Sequence, residues 1–283
     1  MKKAVKSAII GIAAIGILAL AGCGGDSKPA GESGKTSGSE QQGKLLKKIK
    51  ERGKLIVGTS SGYPPYVFVD AESGDKKVIG LDIELVQQIA NRLGVKLEVQ
   101  DMNFSALLSS VTADKVDIAV GGVAPTAERE KVMAFSKLYL PTEQKLLIRK
   151  ADADKYKTVA DLKGAVIGAE KSTTQEATAK KVADAKSIGL AGVPDAVLEL
   201  KHGKIDGIVL EGVVAKQYLV FNDDLTIADI SFPDAKKISA VALQKGNDDL
   251  VKIINEVIDE NTKNGNFDKW VDEYSKIAVE KAK

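Results

Sequence analysis

The strongest constraint on this chain is an alternation of short apolar runs with amphipathic stretches that proceeds once and then starts again. Residues 54–59 (KLIVGT) form an apolar run ending in turn residues, which predicts a buried strand. A helix is expected over 82–93, closed by Gly94, because Leu81, Leu85, Ile89 and Leu93 recur four apart. Residues 95–99 predict a strand, 104–113 a helix, and 116–120 a strand ending in Gly121-Gly122. The order then recurs as strand 165–169, helix 173–185, strand 187–190, helix 194–201 and strand 205–210. Across the two halves, 115–120 (KVDIAV) lies over 204–209 (KIDGIV) at a separation of 89 residues. Strands alternating with helices imply α/β architecture with parallel sheets and right-handed crossovers, and the restart implies two lobes of similar build. Open α/β sheets bind ligands beyond the carboxyl ends of their strands, so Gly121-Gly122 and Glu211 would face one cleft. The remainder predicts a strand over 238–243, a helix through Leu250, Ile254 and Val257, and a last helix with Phe267, Trp270 and Tyr274 as core. It is too short for a separate domain and is expected to complete the first lobe.

The N-terminus carries a different message. Residues 1–22 hold three lysines, a 13-residue apolar run over 8–20 and then small residues, the order of a secretory signal. The run is short for a span, which takes about 20 residues. Cys23, the one cysteine of the chain, follows Leu20-Ala21-Gly22 and resembles the acylated cysteine of a bacterial lipobox; the alternative is a chance cysteine after a simple signal. Residues 24–43 have no large apolar side chain and are rich in Gly and Ser, so they are expected to act as a flexible tether with a reach of about 25 Å. The expected organisation is signal 1–22, anchored tether 23–43, lobe 1 over 44–145 plus 238–283, and lobe 2 over 146–237. The protein is expected at the cell membrane, lipid-anchored and outside the cytoplasm.

Charge and composition exclude several functions. Without the first 22 residues, 38 bases face 39 acids, so no basic field suggests nucleic acid. One cysteine and one histidine leave no basis for a disulfide, a zinc cluster or a multi-histidine metal site, and no cofactor or metal is expected. His202 sits among Lys201, Gly203 and Lys204 and reads as a surface loop residue. Lys171 has no Gly-rich phosphate loop before it.

Four stretches could carry chemistry. In 120–129 (VGGVAPTAER), Gly121 and Gly122 permit close backbone approach, Thr126 marks a helix start, and Arg129 could grip a carboxylate through two parallel hydrogen bonds. Arg129 could equally be a solvated member of a charged turn. Ser172-Thr173-Thr174-Gln175 offers hydroxyls and free N–H groups at a helix start, or a plain N-cap. Glu211 could pair with an ammonium group, or be an acid favoured by a helix dipole. Tyr63-Pro64-Pro65-Tyr66 makes a rigid turn carrying aromatics, which could meet a ligand or pack on the core.

These motifs resemble the family-3 extracellular solute-binding proteins, the polar amino-acid receptors of ABC importers. The resemblance runs through KLIVGT with YPPY, through Gly80-Leu81-Asp82-Ile83-Glu84-Leu85, through Asp117 to Arg129 followed by Phe135-Ser136, and through Ser172 to Glu176. It implies a two-lobed periplasmic-binding-protein-like flytrap of type II, each lobe a mostly parallel sheet flanked by helices, joined by two hinge strands. It implies that Arg129 binds the α-carboxylate with help from Thr174 and the backbone near Ala124. Thr126, Ser172 and Gln175 lie in the same motifs. Glu211 and the Gly122 carbonyl would hold the α-ammonium, with Tyr63 and Phe104 flanking the side chain. The implied partners are a free amino acid of the Arg, Lys, Gln or His class and an ABC permease, with a monomeric carrier and no nucleic acid. Departures are Glu211 for Asp, Ala124 for Ser or Thr, Ser172 for Gly, and Ser60 where some cation binders carry Asp. Glu170 and Asp101 are acids that could substitute for that Asp. The rival readings are a cleft enzyme resembling cyclohexadienyl dehydratase, with Glu211 or Glu170 as acid or base, and a surface adhesin or sensor.

Overall fold

The structure, a computed structural model, describes residues 43–232 and 236–281. The signal-like segment, Cys23 and all but the last residue of the tether lie outside the described residues. In chain order the first lobe comprises α1 (Lys44–Arg52), β1 (Lys54–Thr59), β2 (Phe68–Val69), β3 (Val78–Ile79), α2 (Leu81–Leu93), β4 (Lys96–Asp101), α3 (Phe104–Thr112), β5 (Ile118–Ala119), α4 (Ala127–Val132) and β6 (Met133–Phe135). Strand β7 (Leu140–Arg149) leads into the second, with β8 (Val166–Glu170), α5 (Thr174–Lys180), β9 (Lys186–Leu190), α6 (Val193–Lys201), β10 (Gly207–Glu211), α7 (Gly212–Val220) and β11 (Leu225–Ile227). Strand β12 (Lys236–Ser239) leads back to β13 (Ala242–Gln244), α8 (Asp248–Lys263) and α9 (Asn266–Lys281) in the first lobe.

Each sheet has a parallel centre and antiparallel strands where the chain changes lobe. The first runs β4-β1-β5-β13-β6, with β1 parallel to β4 and β5, and β13 antiparallel to β5 and β6. The second runs β11-β7-β10-β8-β9, with β8 parallel to β9 and β10, and β7 antiparallel to β10 and β11. The two crossings pair with each other, Leu140 to Ser239 through Glu143 to Lys236, as an antiparallel ribbon. Alternation within strands divides the core: Leu55, Val57, Ile118 and Leu243 join one cluster with α2, α8 and α9, while Ile56, Ala119 and Ala242 face α3. In the second lobe Leu147, Ile208 and Leu210 face α6 and α7, whereas Leu146, Ile148 and Val209 face α5. Both faces of both sheets are therefore covered, as parallel sheets require.

The matched hexapeptides turn out to be one device used twice. Asp117 accepts a hydrogen bond from the Ile56 N–H at 2.7 Å and pairs with Arg52. Asp206 accepts from the Val166 N–H at 2.8 Å and pairs with Arg149 at 3.1 Å. The backbones reciprocate, Asp117 N to Ile56 O at 2.8 Å and Asp206 N to Val166 O at 2.7 Å. In each lobe one carboxylate thus fixes the register between the first strand and the strand that ends at the cleft. The residue before each Asp also has a matching task. Val116 packs over Gly58, where a Cβ would lie 3.2 Å from it, and Ile205 packs over Gly168, where a Cβ would lie 2.6 Å from it.

Three elements differ from the sequence expectation. The helix expected over 173–185 ends at Lys180, because the chain must turn at Asp184 (φ 59°) to enter β9. The single strand expected over 238–243 is two strands, β12 and β13, which belong to different sheets. Residues 240 and 241 cross between them, donating to Val123 O and Ser136 Oγ at 2.8 and 2.9 Å. The helix expected to open at Asp82 opens at Leu81. Its preceding Gly80 has φ 136°, and a Cβ there would stand 2.1 Å from Tyr66 O, so no other residue fits.

The repeated Asp device gives a direct test. Asp206→Ala leaves the Val166 N–H and Arg149 without their shared acceptor. It should lower unfolding free energy by about 1–3 kcal/mol in urea denaturation, and Asp117→Ala should do the same from the other lobe.

Candidate functional site

The carboxyl ends of the central strands of both lobes meet at one cavity, whose space including its mouth is about 330 Å³. Lobe 1 contributes Ser60, Tyr63, Phe104, Gly121 and Gly122, and lobe 2 contributes Glu170, Thr173, Gln175, Val193, Val209 and Leu210.

Arg129 is placed by a helix start. Thr126 caps α4 by accepting from the Arg129 N–H at 3.2 Å, and the side chain then turns inward and is only 9% exposed. Its Nη1 donates to Ala124 O at 2.5 Å and its Nη2 crosses to Ser172 O at 2.8 Å. The guanidinium carbon lies 5.3 Å from the centre of the Phe104 ring, within cation–π range. Burial pushes its pKa down to about 10, so the group remains cationic at neutral pH. No carboxylate among the described residues forms an ion pair with it. The solvated-turn alternative for Arg129 does not describe this side chain.

Two acids stand on the lobe 2 side. Glu211, the last residue of β10, is fully buried and makes no capping bond to α7. It instead faces Gly122, where a Cβ would lie 3.4 Å from its Oε1, and it accepts from the Tyr63 hydroxyl and lies near that of Tyr66. Burial first, and the Glu211 charge second, raise both phenols well above their ordinary pKa. Glu170, the last residue of β8, is 9% exposed and accepts from Ser60 Oγ across the cleft at 3.3 Å.

A polar chain links the connecting ribbon to the first lobe. Gln144 on β7 donates to Thr174 Oγ1 at 3.3 Å, Thr174 Oγ1 donates to Gln175 Oε1 at 3.0 Å, and Gln175 Nε2 donates to the Tyr63 hydroxyl at 2.8 Å. Tyr63 passes the chain to Glu211. Ser172 adopts φ 67°, a left-handed conformation that glycine takes more readily than serine. Its hydroxyl meets Ser105 Oγ at 2.9 Å and its N–H donates to Glu176 Oε2 at 2.8 Å.

Of the residues singled out from sequence, Tyr63, Phe104, Gly122 and Gln175 wall the cavity; Arg129 meets the Phe104 wall, Glu211 meets Gly122, and Ser172 meets Arg129. Ala124, Thr126 and Thr174 line a neighbouring recess with Gln144, Lys181 and Lys236. Thr173, rather than Thr174, faces the cavity. Asp101 does not wall it and instead accepts from Ser61 N and Oγ.

Sequence reasoning assigned no task to Asp82 or Tyr139. Asp82 is fully buried; its Oδ2 accepts from the N–H groups of Gly121 and Gly122 at 2.8 and 3.1 Å, and its Oδ1 from the Tyr139 hydroxyl at 2.8 Å. Burial raises its pKa to about 6, the three hydrogen bonds oppose that rise, and the Glu211 charge adds to it. The available signal was an acid set between apolar residues on the buried face of α2.

Two lobes, two crossings and a buried polar site at the strand ends define a bilobal solute-binding protein. The model of the bacterial extracellular solute-binding proteins, family 3, matches residues 55–277, and the chain belongs to that family. It is 32% identical to the arginine-binding extracellular protein ArtP of Bacillus subtilis over 76% of this chain and 84% of that one. It is also 32% identical to the L-cystine-binding protein TcyJ of Escherichia coli K12 over 80% of this chain and 85% of that one. Among solved structures it is similar to the amino acid ABC transporter substrate-binding protein AbpA of Streptococcus pneumoniae bound to L-arginine. That likeness has TM-score 0.80 and 34% identity over 82% of this chain and 99% of that one. A structure of an ancestral amino-acid-binding protein, a precursor of cyclohexadienyl dehydratase, is similar at TM-score 0.73 and 28% identity.

The interlobe chain predicts that Tyr63→Phe destabilises the protein. Removing the hydroxyl withdraws the acceptor of Gln175 and a donor to Glu211, a loss of about 1–3 kcal/mol, measurable as a lower urea midpoint with unchanged slope.

Proposed function

We propose that this chain is the substrate-binding component of an ABC importer that captures a free amino acid with a cationic side chain, arginine above lysine. The observation that carries the reading is the charge set of the cleft: one buried guanidinium with no ion pair among the described residues, and two buried carboxylates, Glu170 and Glu211, at the lobe 2 strand ends. An amino acid carrying one carboxylate and two cationic groups matches that set charge for charge, and burying any of them unmatched is costly. Arg129 receives the α-carboxylate, exchanging carbonyl contacts for a charge-assisted pair. Glu211 and the Gly122 carbonyl take the α-ammonium. Tyr63 and Phe104 flank the side chain, and Glu170 with Ser60 takes its terminal cation. Ser172, Thr174, Gln175, Ala124 and Thr126 hold these groups in place. Binding in a cleft between lobes joined by a two-stranded ribbon favours closure as the capture step. The protein acts as a monomeric carrier rather than an enzyme, a reading supported by relatives named for binding. Its permease is an ABC membrane partner.

The test is thermal unfolding of the protein, refolded from denaturant to strip bound solute, against each of the twenty amino acids. A ligand at 100 times its Kd should stabilise by about 2.7 kcal/mol. Arginine should give the largest shift, and Arg129→Ala should abolish it, a loss of about 2–5 kcal/mol in binding. Glu170→Gln should weaken arginine while sparing glutamine; equal weakening of both would overturn the assignment of the side-chain subsite. No shift with any amino acid would overturn the reading as a whole.

We further propose that Cys23 is acylated after removal of residues 1–22, holding the body at the outer face of the membrane through the tether 23–43. More than one acyl chain is needed for stable anchoring. Cys23→Ser should therefore move the protein from the membrane fraction to the soluble fraction; membrane retention of that variant would refute lipidation.

A further inference from the structure

We propose that Asp82 is a positioning residue for ligand binding, tying the Gly121–Gly122 backbone of the cleft to Tyr139 at the entrance of the connecting ribbon. The inference rests on the amino-acid reading above, in which the Gly122 carbonyl receives the α-ammonium.

The geometry joins three regions through one side chain. Gly121 and Gly122 both have positive φ, 117° and 65°, which glycine adopts as readily as negative φ, so the contacts of this turn decide which way its peptides point. Both of its N–H groups point to the same Asp82 oxygen, which sets the direction of the peptide that faces Glu211 and Tyr63. The other oxygen accepts from Tyr139. Tyr139 immediately precedes β7, its N–H donates to Ser239 O on the returning strand at 3.0 Å, and its ring stacks on Phe267 at 5.2 Å. One carboxylate therefore registers the binding turn against both strands of the ribbon. Without it the turn would have two buried donors to satisfy and Tyr139 a third.

The groups that act on Asp82 are few. Tyr139 reaches it from the ribbon and the two glycine N–H groups from the turn after β5; Glu211 acts from β10, and Tyr66 from the loop after β1. On its own helix the neighbouring acid Glu84 accepts from Tyr274. All three hydrogen bonds to Asp82 favour the ionised carboxylate, whereas burial and Glu211 favour the protonated one. Protonation on Oδ1 would reverse the bond to Tyr139 and weaken the hold on the turn. An α-ammonium placed beside Glu211 offsets the repulsion that Glu211 exerts on Asp82. Ligand and proton therefore oppose each other: binding expels a proton from Asp82, and acidification through pH 6 weakens binding.

The experiment reads Asp82 with and without ligand. In the wild-type protein the amide signals of Gly121 and Gly122 should titrate together near pH 6 in two-dimensional NMR without added amino acid. They should be flat in Asp82→Asn, which keeps the shape and one acceptor oxygen. In Tyr139→Phe their midpoint should rise, because one bond favouring the ionised form is gone. In calorimetry the wild-type Kd for L-arginine should rise about threefold or more from pH 7.5 to 5.0, with the slope lost in Asp82→Asn. A wild-type turn that does not titrate, or an unmoved midpoint in Tyr139→Phe, would overturn the tie. The same arginine slope in Asp82→Asn as in wild type would overturn the positioning role. If the amides titrate as stated but arginine binds at no pH, the structural tie stands and the ligand reading falls.

Discussion

The burial of the Arg129 guanidinium governs the arrangement of this site. Two carbonyl oxygens, Ala124 O from its own lobe and Ser172 O from the other, satisfy hydrogen bonds at 2.5 and 2.8 Å. They do not neutralise its charge, and burial already depresses its pKa to about 10. Hydrogen bonding without charge compensation is a tolerable resting arrangement for guanidinium, which is more weakly hydrated than ammonium. It also leaves a strong preference for any anion that can displace a carbonyl. The surrounding features serve this placement. Thr126 starts the helix that carries Arg129, Phe104 supplies a π face, and Ser172 takes an uncommon φ so that its carbonyl can meet the guanidinium.

Placing such a group between lobes requires that the strand ends of both sheets be held in register. The Asp117 and Asp206 devices accomplish this at the opposite ends of the strands, far from the ligand. Each carboxylate accepts a first-strand N–H and pairs with an arginine that is only partly exposed. Stability is thus invested at one end of each sheet while the other end carries strained turns and buried charges. Residues such as Ser172 at φ 67° and the fully buried Glu211 are expensive locally, and a rigid base is what lets them persist.

What could be read from the sequence follows the range of the interactions involved. The strands and helices around the cleft were visible because their apolar periodicity is local. The repeat at 115–120 and 204–209 was visible because both copies have the same packing task. Arg129, Tyr63, Phe104, Gly122 and Glu211 were reached through motif resemblance, since spacing alone left each of them ambiguous. For Asp82 the sequence shows a helix start, a place in the motif over 80–85 and an acid among apolar neighbours, but not its partners, which lie 39, 40 and 57 residues away. Thr173 and Thr174 were indistinguishable for a related reason. Which of two adjacent hydroxyls enters the cavity depends on the turn at Ser172, whose φ is set by contacts with the opposite lobe. The division of 238–243 into two strands was hidden because no turn residue interrupts ISAVAL and only the partners of its two halves differ.

The polar chain from Gln144 to Glu211 bears on how the site communicates with the ribbon. It begins on β7, passes through two residues at the start of α5, enters lobe 1 at Tyr63 and returns to lobe 2 at Glu211. Its crossings exist only when the lobes are together, whereas the Asp82 contacts to the glycine turn and Tyr139 lie at one end of the ribbon. A closing motion therefore forms the first network and need not break the second. Proteins tolerate buried polar networks when every member is satisfied and are destabilised when one is not. Under the proposed capture by closure, the contacts that cross between the lobes favour the closed state, while those of Asp82 preserve the shape of the glycine turn. Such a division of labour lets affinity depend on closure without making the first encounter depend on it.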